Sequence, residues 1–193
     1  GSPVWVQTLR AFLRHPGVGP AVVVVPAGDE AATRDRLDGA DAIVVAGGSS
    51  RQDSVAHGVA ALPADVDLVL VHDAVRPFVG ADLIGRVIET ARASGAAAAA
   101  VPVADTLRHG GAGPLFGETV SREGLWAMQT PQAARRDWLV RAHANAGRTV
   151  ATDEVALLQA AGYAVRIVEG DTRNVKITRP SDWALAEALW ATW

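Results

Sequence analysis

Cysteine is absent from all 193 residues, which removes disulfides, thiolate nucleophiles and cysteine-ligated zinc from consideration. A cytoplasmic protein is the plain expectation from that absence. Long apolar runs are missing too. The longest, at 21–25 and 96–101, fall far short of the roughly 20 residues that a transmembrane helix needs, so no membrane partner is expected. No charged-then-apolar leader opens the chain, and secretion is not expected. An excess of charge is also lacking. The 18 Lys and Arg against 21 Asp and Glu leave a net charge of −3, which argues against a nucleic-acid binder. A small anionic substrate stays open, because a local basic pocket need not alter the total. Lysine itself is nearly absent: Lys176 is the single one, and every other cation of the 18 is arginine. A lysine is a compact point charge where arginine is a planar fork, so its survival at one place is either chance or a site that wants an ammonium.

What is present is an alternation of strand-like and helix-like segments. Residues 3–14 carry Val6, Leu9, Phe12 and Leu13 at near-helical spacing. Residues 21–25 are a mostly β-branched run closed by Pro26 and Gly28, and read as a buried strand. The same logic predicts a helix over 30–37, a strand over 42–46, a helix over 53–62 and a strand over 67–71. It continues with a helix over 81–93 and a strand over 96–101. Alternation of this kind is the pattern of a mostly parallel sheet with helices on both faces, an α/β class. Ligands of such sheets bind beyond the carboxyl ends of the strands, where Gly47-Gly48 and His72-Asp73 fall.

The alternation breaks at 105–124, where five glycines and a proline surround short β-like pieces, suggesting a projecting β-arm. Helices follow over 135–146 and 154–161, the second capped by Thr152-Asp153, then a strand over 164–168 and a helix from Pro180 to Trp190. The length suits one domain, residues 1–193, plus the arm.

Four segments carry chemistry. The turn at 47–54, Gly-Gly-Ser-Ser-Arg-Gln-Asp-Ser, joins a strand to a helix; glycines permit close backbone approach, and a helix N-terminus offers free N–H groups to a base or phosphate. Taken alone, the segment is better explained as an ordinary turn capped by Asp53 or Ser54. In His72-Asp73-Ala74-Val75-Arg76-Pro77, Asp73 is placed for a divalent metal or ribose and Arg76 for a phosphate. An Asp–Arg pair that only stabilises the loop is the alternative. Thr130-Pro131-Gln132 suggests an extended stretch with exposed hydroxyl and amide groups, or a polar turn before a helix. In Asn174-Val175-Lys176-Ile177-Thr178, Lys176 lies between two β-branched residues and should point away from them if extended.

Taken in order, Gly47-Gly48 with Asp53-Ser54, the 72–77 run, Asp105-Thr106, Arg122 with Gly124-Leu125-Trp126, Thr130-Pro131-Gln132, Thr152-Asp153-Glu154 and 174–178 resemble the 2-C-methyl-D-erythritol 4-phosphate cytidylyltransferase family. The resemblance covers nearly the whole chain. It implies a Rossmann-like nucleotidyltransferase fold, and transfer of a cytidylyl group from CTP to 2-C-methyl-D-erythritol 4-phosphate with release of pyrophosphate and use of Mg²⁺. Carried over by position, it implies nucleotide contacts at Gly48, Ser49, Ser54, Asp73 and Ala74, with the metal at Asp73. It implies substrate contacts at Arg76, Thr106, Thr130 and Thr152, and phosphate orientation by Arg122 and Lys176. It further implies a homodimer in which the arm, with Thr106 and Arg122, serves the partner's site.

Two departures from the family pattern bear on this. The family begins with a strand and a Gly-rich loop whose Arg and Lys contact the CTP phosphates, whereas this chain opens at Gly1-Ser2-Pro3-Val4-Trp5, which resembles the segment after it. A molecule without that loop is expected to bind CTP weakly and to turn over little. Ser49 also stands where an acidic residue can occur. The rival readings are a pentitol (ribitol) 5-phosphate cytidylyltransferase and a non-catalytic nucleotide-binding relative.

Overall fold

The structure, a computed structural model, describes residues 2–146 and 151–193. Its central sheet grows from small residues. Strand β4 (Ala96–Pro102) begins with five alanines, each at most 2% exposed. Because alternate side chains of a strand face opposite ways, Ala97 and Ala99 join the core on one face and Ala96 the core on the other. Side chains this short let helices close down on both sides of the strand.

On the first face lies α4 (Ala81–Ser94), whose Leu83, Ile84, Val87, Ile88 and Ala91 repeat at helical spacing and are all nearly fully buried. Burying a side chain such as Ile84 is worth about 1.5–3 kcal/mol. Phe12 of α1 (Val4–Leu13) joins the same core. On the second face, α3 (Arg51–Ala61), α5 (Arg136–Asn145) and α6 (Glu154–Ala160) contribute Val59, Leu139, Ala142, Leu157 and Leu158. Helices therefore cover both faces, as the alternation predicts.

Two features of the sheet go beyond the sequence reading. The neighbour of β4 is β7 (Trp126–Arg135), which runs antiparallel between β3 (Leu68–Val71) and β4; β8 (Arg166–Glu169) pairs parallel to β4 on its other side. Periodicity gives no strand at β7, since Gln129, Thr130, Pro131 and Gln132 break the apolar pattern and proline is rare inside sheets. The second feature is that β1 (Val22–Val25) and β2 (Ile43–Ala46) form a separate parallel pair, reached through the short helix α2 (Glu30–Asp35). An apolar channel of about 530 Å³ separates β1 from β3; Val22, Val24, Val59, Leu70 and Phe12 line it. Helix α3 bridges the channel, packing on β1 and β2 while Val59 reaches the core beneath β3.

The arm is a two-stranded antiparallel hairpin, β5 (Leu107–Gly110) with β6 (Phe116–Val120), within the predicted 105–124. Helix α7 (Asp182–Trp190) seats Ala186 against Phe78 and Ile177.

Candidate active site

Asp73 lies just past the carboxyl end of β3, and three chain segments converge on it. Arg76 Nε donates to its carboxylate at 3.2 Å, and Lys176 Nζ stands 3.1 Å from the same oxygen. Arg76 is itself anchored, its Nη1 donating to the Asn174 carbonyl at 2.8 Å. Burial pushes the Asp73 carboxyl up, but Lys176 and then Arg76 more than offset that, holding it below the ordinary carboxylate range. It is therefore an anion near neutral pH, balanced by two cations. Ile177 is buried while Lys176 is exposed, so the lysine points away from the core as its flanking residues predict. The Asp–Arg pair does two things at once: it ties the loop down and presents charge.

The third segment is β7. The Thr130 hydroxyl accepts from the Asp73 amide at 3.0 Å and lies 3.0 Å from His72 Nδ1. The other ring nitrogen, Nε2, is 3.1 Å from the Arg76 carbonyl. A carbonyl can only accept, so Nε2 carries the hydrogen. Burial pushes His72 down to about 4, so near neutral pH the ring holds one proton and Nδ1 is bare. The Thr130 hydroxyl thus donates to His72 and accepts from Asp73. Its hydrogen is committed to the protein, and Thr130 is only 4% exposed, as is Gln132. The exposed hydroxyl and amide expected at 130–132 are buried instead, because the segment is a central strand.

A second group of predicted residues gathers at the start of α3. The N-cap is Ser50, whose Oγ accepts from the Asp53 amide at 3.0 Å; neither Asp53 nor Ser54 is the cap. Asp53 instead accepts from the Ser49 hydroxyl, and Ser54 Oγ accepts from the Gly48 amide. A Cβ at Gly48 would overlap that of Asp53, which explains the glycine. Ala74 is exposed, and its carbonyl accepts from Thr8 Oγ1 at 2.8 Å. Thr152 is exposed directly before Asp153, which caps α6 by accepting from the Ala156 amide at 2.8 Å.

Arg122 and Thr106 stand apart from the cluster. Both are exposed at the arm, where Arg122 donates to the Ala104 carbonyl; among the described residues no hydrogen bond joins Arg122 to Asp73 or Lys176. Gln132 and Asn174, which lie in the sequence motifs but had no site role read for them, knit the floor. Asn174 is fully buried and donates to the Thr130 carbonyl and Gln129 Oε1. Asparagine and glutamine carry no signal of burial in a local pattern, so only the tertiary pairing reveals them.

Among the described residues no group of three or more His, Asp or Glu is placed to hold a metal. Asp73 supplies one carboxylate. That fits Mg²⁺, which is commonly held by one or two carboxylates with the remainder from substrate phosphates and water. Anionic carboxylate, ammonium and guanidinium at one strand end form a site suited to a polyphosphate and a second phosphate.

Comparison with known proteins agrees with this chemistry. The sequence model of one family, described as 2-C-methyl-D-erythritol 4-phosphate cytidylyltransferase, matches residues 1–192. The protein of that name from Salinibacter ruber is 53% identical over 197 aligned residues, covering 99% of this chain and 82% of the relative. A bifunctional enzyme IspD/IspF from Desulfotalea psychrophila is 46% identical, and the chain spans about half of its length, 49%. The crystal structure of 2-C-methyl-D-erythritol 4-phosphate cytidylyltransferase from Thermus thermophilus superposes with a TM-score of 0.87 at 41% identity. That match covers 98% of this chain and 89% of the other.

Proposed function

The chain belongs to the 2-C-methyl-D-erythritol 4-phosphate cytidylyltransferase family, and from that premise we infer that it transfers a cytidylyl group from CTP to 2-C-methyl-D-erythritol 4-phosphate. It is a nucleotidyltransferase of non-mevalonate isoprenoid synthesis. A phosphate oxygen of the methylerythritol substrate attacks the α-phosphorus of CTP in line. The bond from that phosphorus to the β-phosphate breaks, and pyrophosphate leaves. No covalent intermediate with the protein is needed, so the work of the residues is positioning and charge neutralisation.

The observation that carries the reading is the convergence of Arg76 and Lys176 on the Asp73 carboxylate. Lys176 is exposed enough to leave that carboxylate for an incoming phosphate, and Arg76 stays held by Asn174. Lys176 then orients the attacking phosphate, with Arg122 from the arm; Arg76, Thr106 and Thr152 contact the same substrate. Gly48, Ser49, Ser54 and Ala74 serve the nucleotide. Thr130 acts through the Asp73 loop, since its hydroxyl hydrogen is spent on His72. Asp73 would hold Mg²⁺ together with the CTP phosphates. When bound, the ion neutralises charge on the triphosphate.

The fold is proposed as one domain with its arm, working as a homodimer in the cytoplasm. The arm supports the dimer: Leu115 and Phe116 are 68% and 84% exposed, and Leu125, Trp126 and Met128 are also exposed. Apolar surface of this kind is normally covered by a partner. No described helix is long and apolar enough to cross a membrane.

Pyrophosphate release is the test, with CTP and either methylerythritol phosphate or ribitol 5-phosphate, before and after chelation of divalent cations. Release that requires methylerythritol phosphate and a divalent cation is expected. Faster turnover with ribitol 5-phosphate would overturn the substrate, and chelator-insensitive turnover would overturn the metal.

A further inference from the structure

Four of the substrate groups named above fall on two turns far apart in sequence: Gly48, Ser49 and Ser54 on 47–54, before and within α3, and Thr152 on 151–154, at the start of α6. Arg51 and Glu154 join them. Arg51 Nη1 donates to Glu154 Oε1 and Nη2 to Oε2, both at 2.8 Å, a two-pronged fork. Glu154 is only 3% exposed, and Arg51 is its sole hydrogen-bond partner through the side chain among the described residues. A second link lies beside the first, because Gln52 Oε1 accepts from the Ala151 amide at 3.1 Å.

Both turns are stiff. Ser50, Ser54, Gly48 and Asp53 are locked to one another, and no side chain fits at Gly48. On the other side, Gln132 Oε1 accepts from the amides of Glu154 and Val155, at 3.0 and 3.2 Å, while its Nε2 donates to Asp153 at 3.2 Å. Gln132 lies on β7 two residues beyond Thr130, which holds the Asp73 amide. A continuous chain of hydrogen bonds and one strand therefore runs from Asp73 through Thr130, Gln132 and Glu154 to Arg51 and the glycine turn. A stiff turn tied at one point moves with its tie.

We propose that Arg51 and Glu154 are a positioning pair: neither touches substrate, and their fork holds the nucleotide-facing turn 47–54 in register with Asp73 and the turn at Thr152. This rests on the transferase reading for which substrate faces which turn, and adds the pair that sets their distance. Arginine is required because lysine keeps the charge but cannot make two parallel bonds to one carboxylate.

The test uses the whole chain carrying Arg51→Lys, Glu154→Gln and both together. Misplacement of a reacting group by about 1 Å can cost roughly 100-fold, so we expect Arg51→Lys to lose roughly 10- to 100-fold in kcat/KM for CTP. KM for methylerythritol phosphate should stay within about twofold, and melting should stay well above the assay temperature. The double variant should be no worse than the poorer single one, because the two act as a unit. Amide hydrogen exchange across 47–54 should quicken in Arg51→Lys. A role in folding alone would lower the melting temperature and leave the CTP parameters and the exchange of this turn unchanged, which overturns the proposal. So would additive losses in the double variant. Lack of turnover in wild-type protein that also carries the family's N-terminal loop would sink the transferase reading instead, and the exchange measurement would still decide the pair.

Discussion

Acidification should destabilise this fold in part through one largely desolvated ring, that of His72. His72 packs against Phe12, with ring centroids 4.7 Å apart, and both ring nitrogens are engaged by the protein. Burial pushes its pKa from 6.5 down to about 4; the Arg76 carbonyl and the Asp73 carboxylate oppose the shift, and the Arg76 guanidinium adds to it. The unfolded chain takes up the proton near the ordinary value, the folded chain only near 4. Between those limits the unfolded state binds more protons, so stability falls as pH falls. The contribution is complete above 6.5 and is lost progressively down to about 4. That interval corresponds to about 3 kcal/mol, a sizeable part of the 5–15 kcal/mol that holds a typical domain together. Urea unfolding of the wild type and of His72→Gln, each at about pH 7 and about pH 4.5, isolates the term. Glutamine can donate and accept but does not titrate, and losses at other carboxylates and at His143 are common to both proteins. The wild type should lose about 2–3 kcal/mol more than the variant over this range. Equal losses would refute the burial argument, and with it the assignment of the Thr130 hydroxyl as donor to His72.

Other outcomes follow from the same contacts. Gly95 ends α4 at φ +91, and a Cβ there would lie 2.6 Å from Cζ3 of Trp138, itself stacked on Tyr163. Gly95→Ala should therefore cost about 2–4 kcal/mol in denaturant unfolding, and a loss under about 0.5 kcal/mol would contradict the packing. Lys176→Ala should abolish most turnover with little change in melting temperature; unchanged kcat/KM would remove Lys176 from the site. Arg122→Ala should be similarly impaired, yet mixed dimers with an Asp73→Ala protomer should regain activity. Failure to recover in proven heterodimers would count against an arm that serves the partner's site.

The parts of this molecule that were legible in the sequence are those whose cause is local. Four valines in β1 need no distant partner to declare a strand, and the 3.6-residue spacing of Leu83, Ile84, Val87 and Ala91 declares α4 in the same way. The Asp73–Arg76 pair was legible because the two lie three residues apart. β7 was not, because its identity comes from what it meets. Gln129, Thr130 and Gln132 look like a polar turn until Asp171, Asn174, His72 and Asp153 arrive to satisfy them. Their burial is tolerable only because these partners exist, since an unpaired buried amide or hydroxyl costs about 1–3 kcal/mol. The fork between Arg51 and Glu154 spans 103 residues, beyond the reach of any local pattern. The same fact explains why the site resists reading one motif at a time. Each motif is an ordinary turn by itself, and the polar strand β7 sets them at fixed distances from one another. On that logic the apolar core dictates that the chain folds, whereas the buried polar strand dictates where Asp73 stands relative to the turns before α3 and α6. A substitution at Gln132 would leave the layers intact and loosen the geometry between those turns.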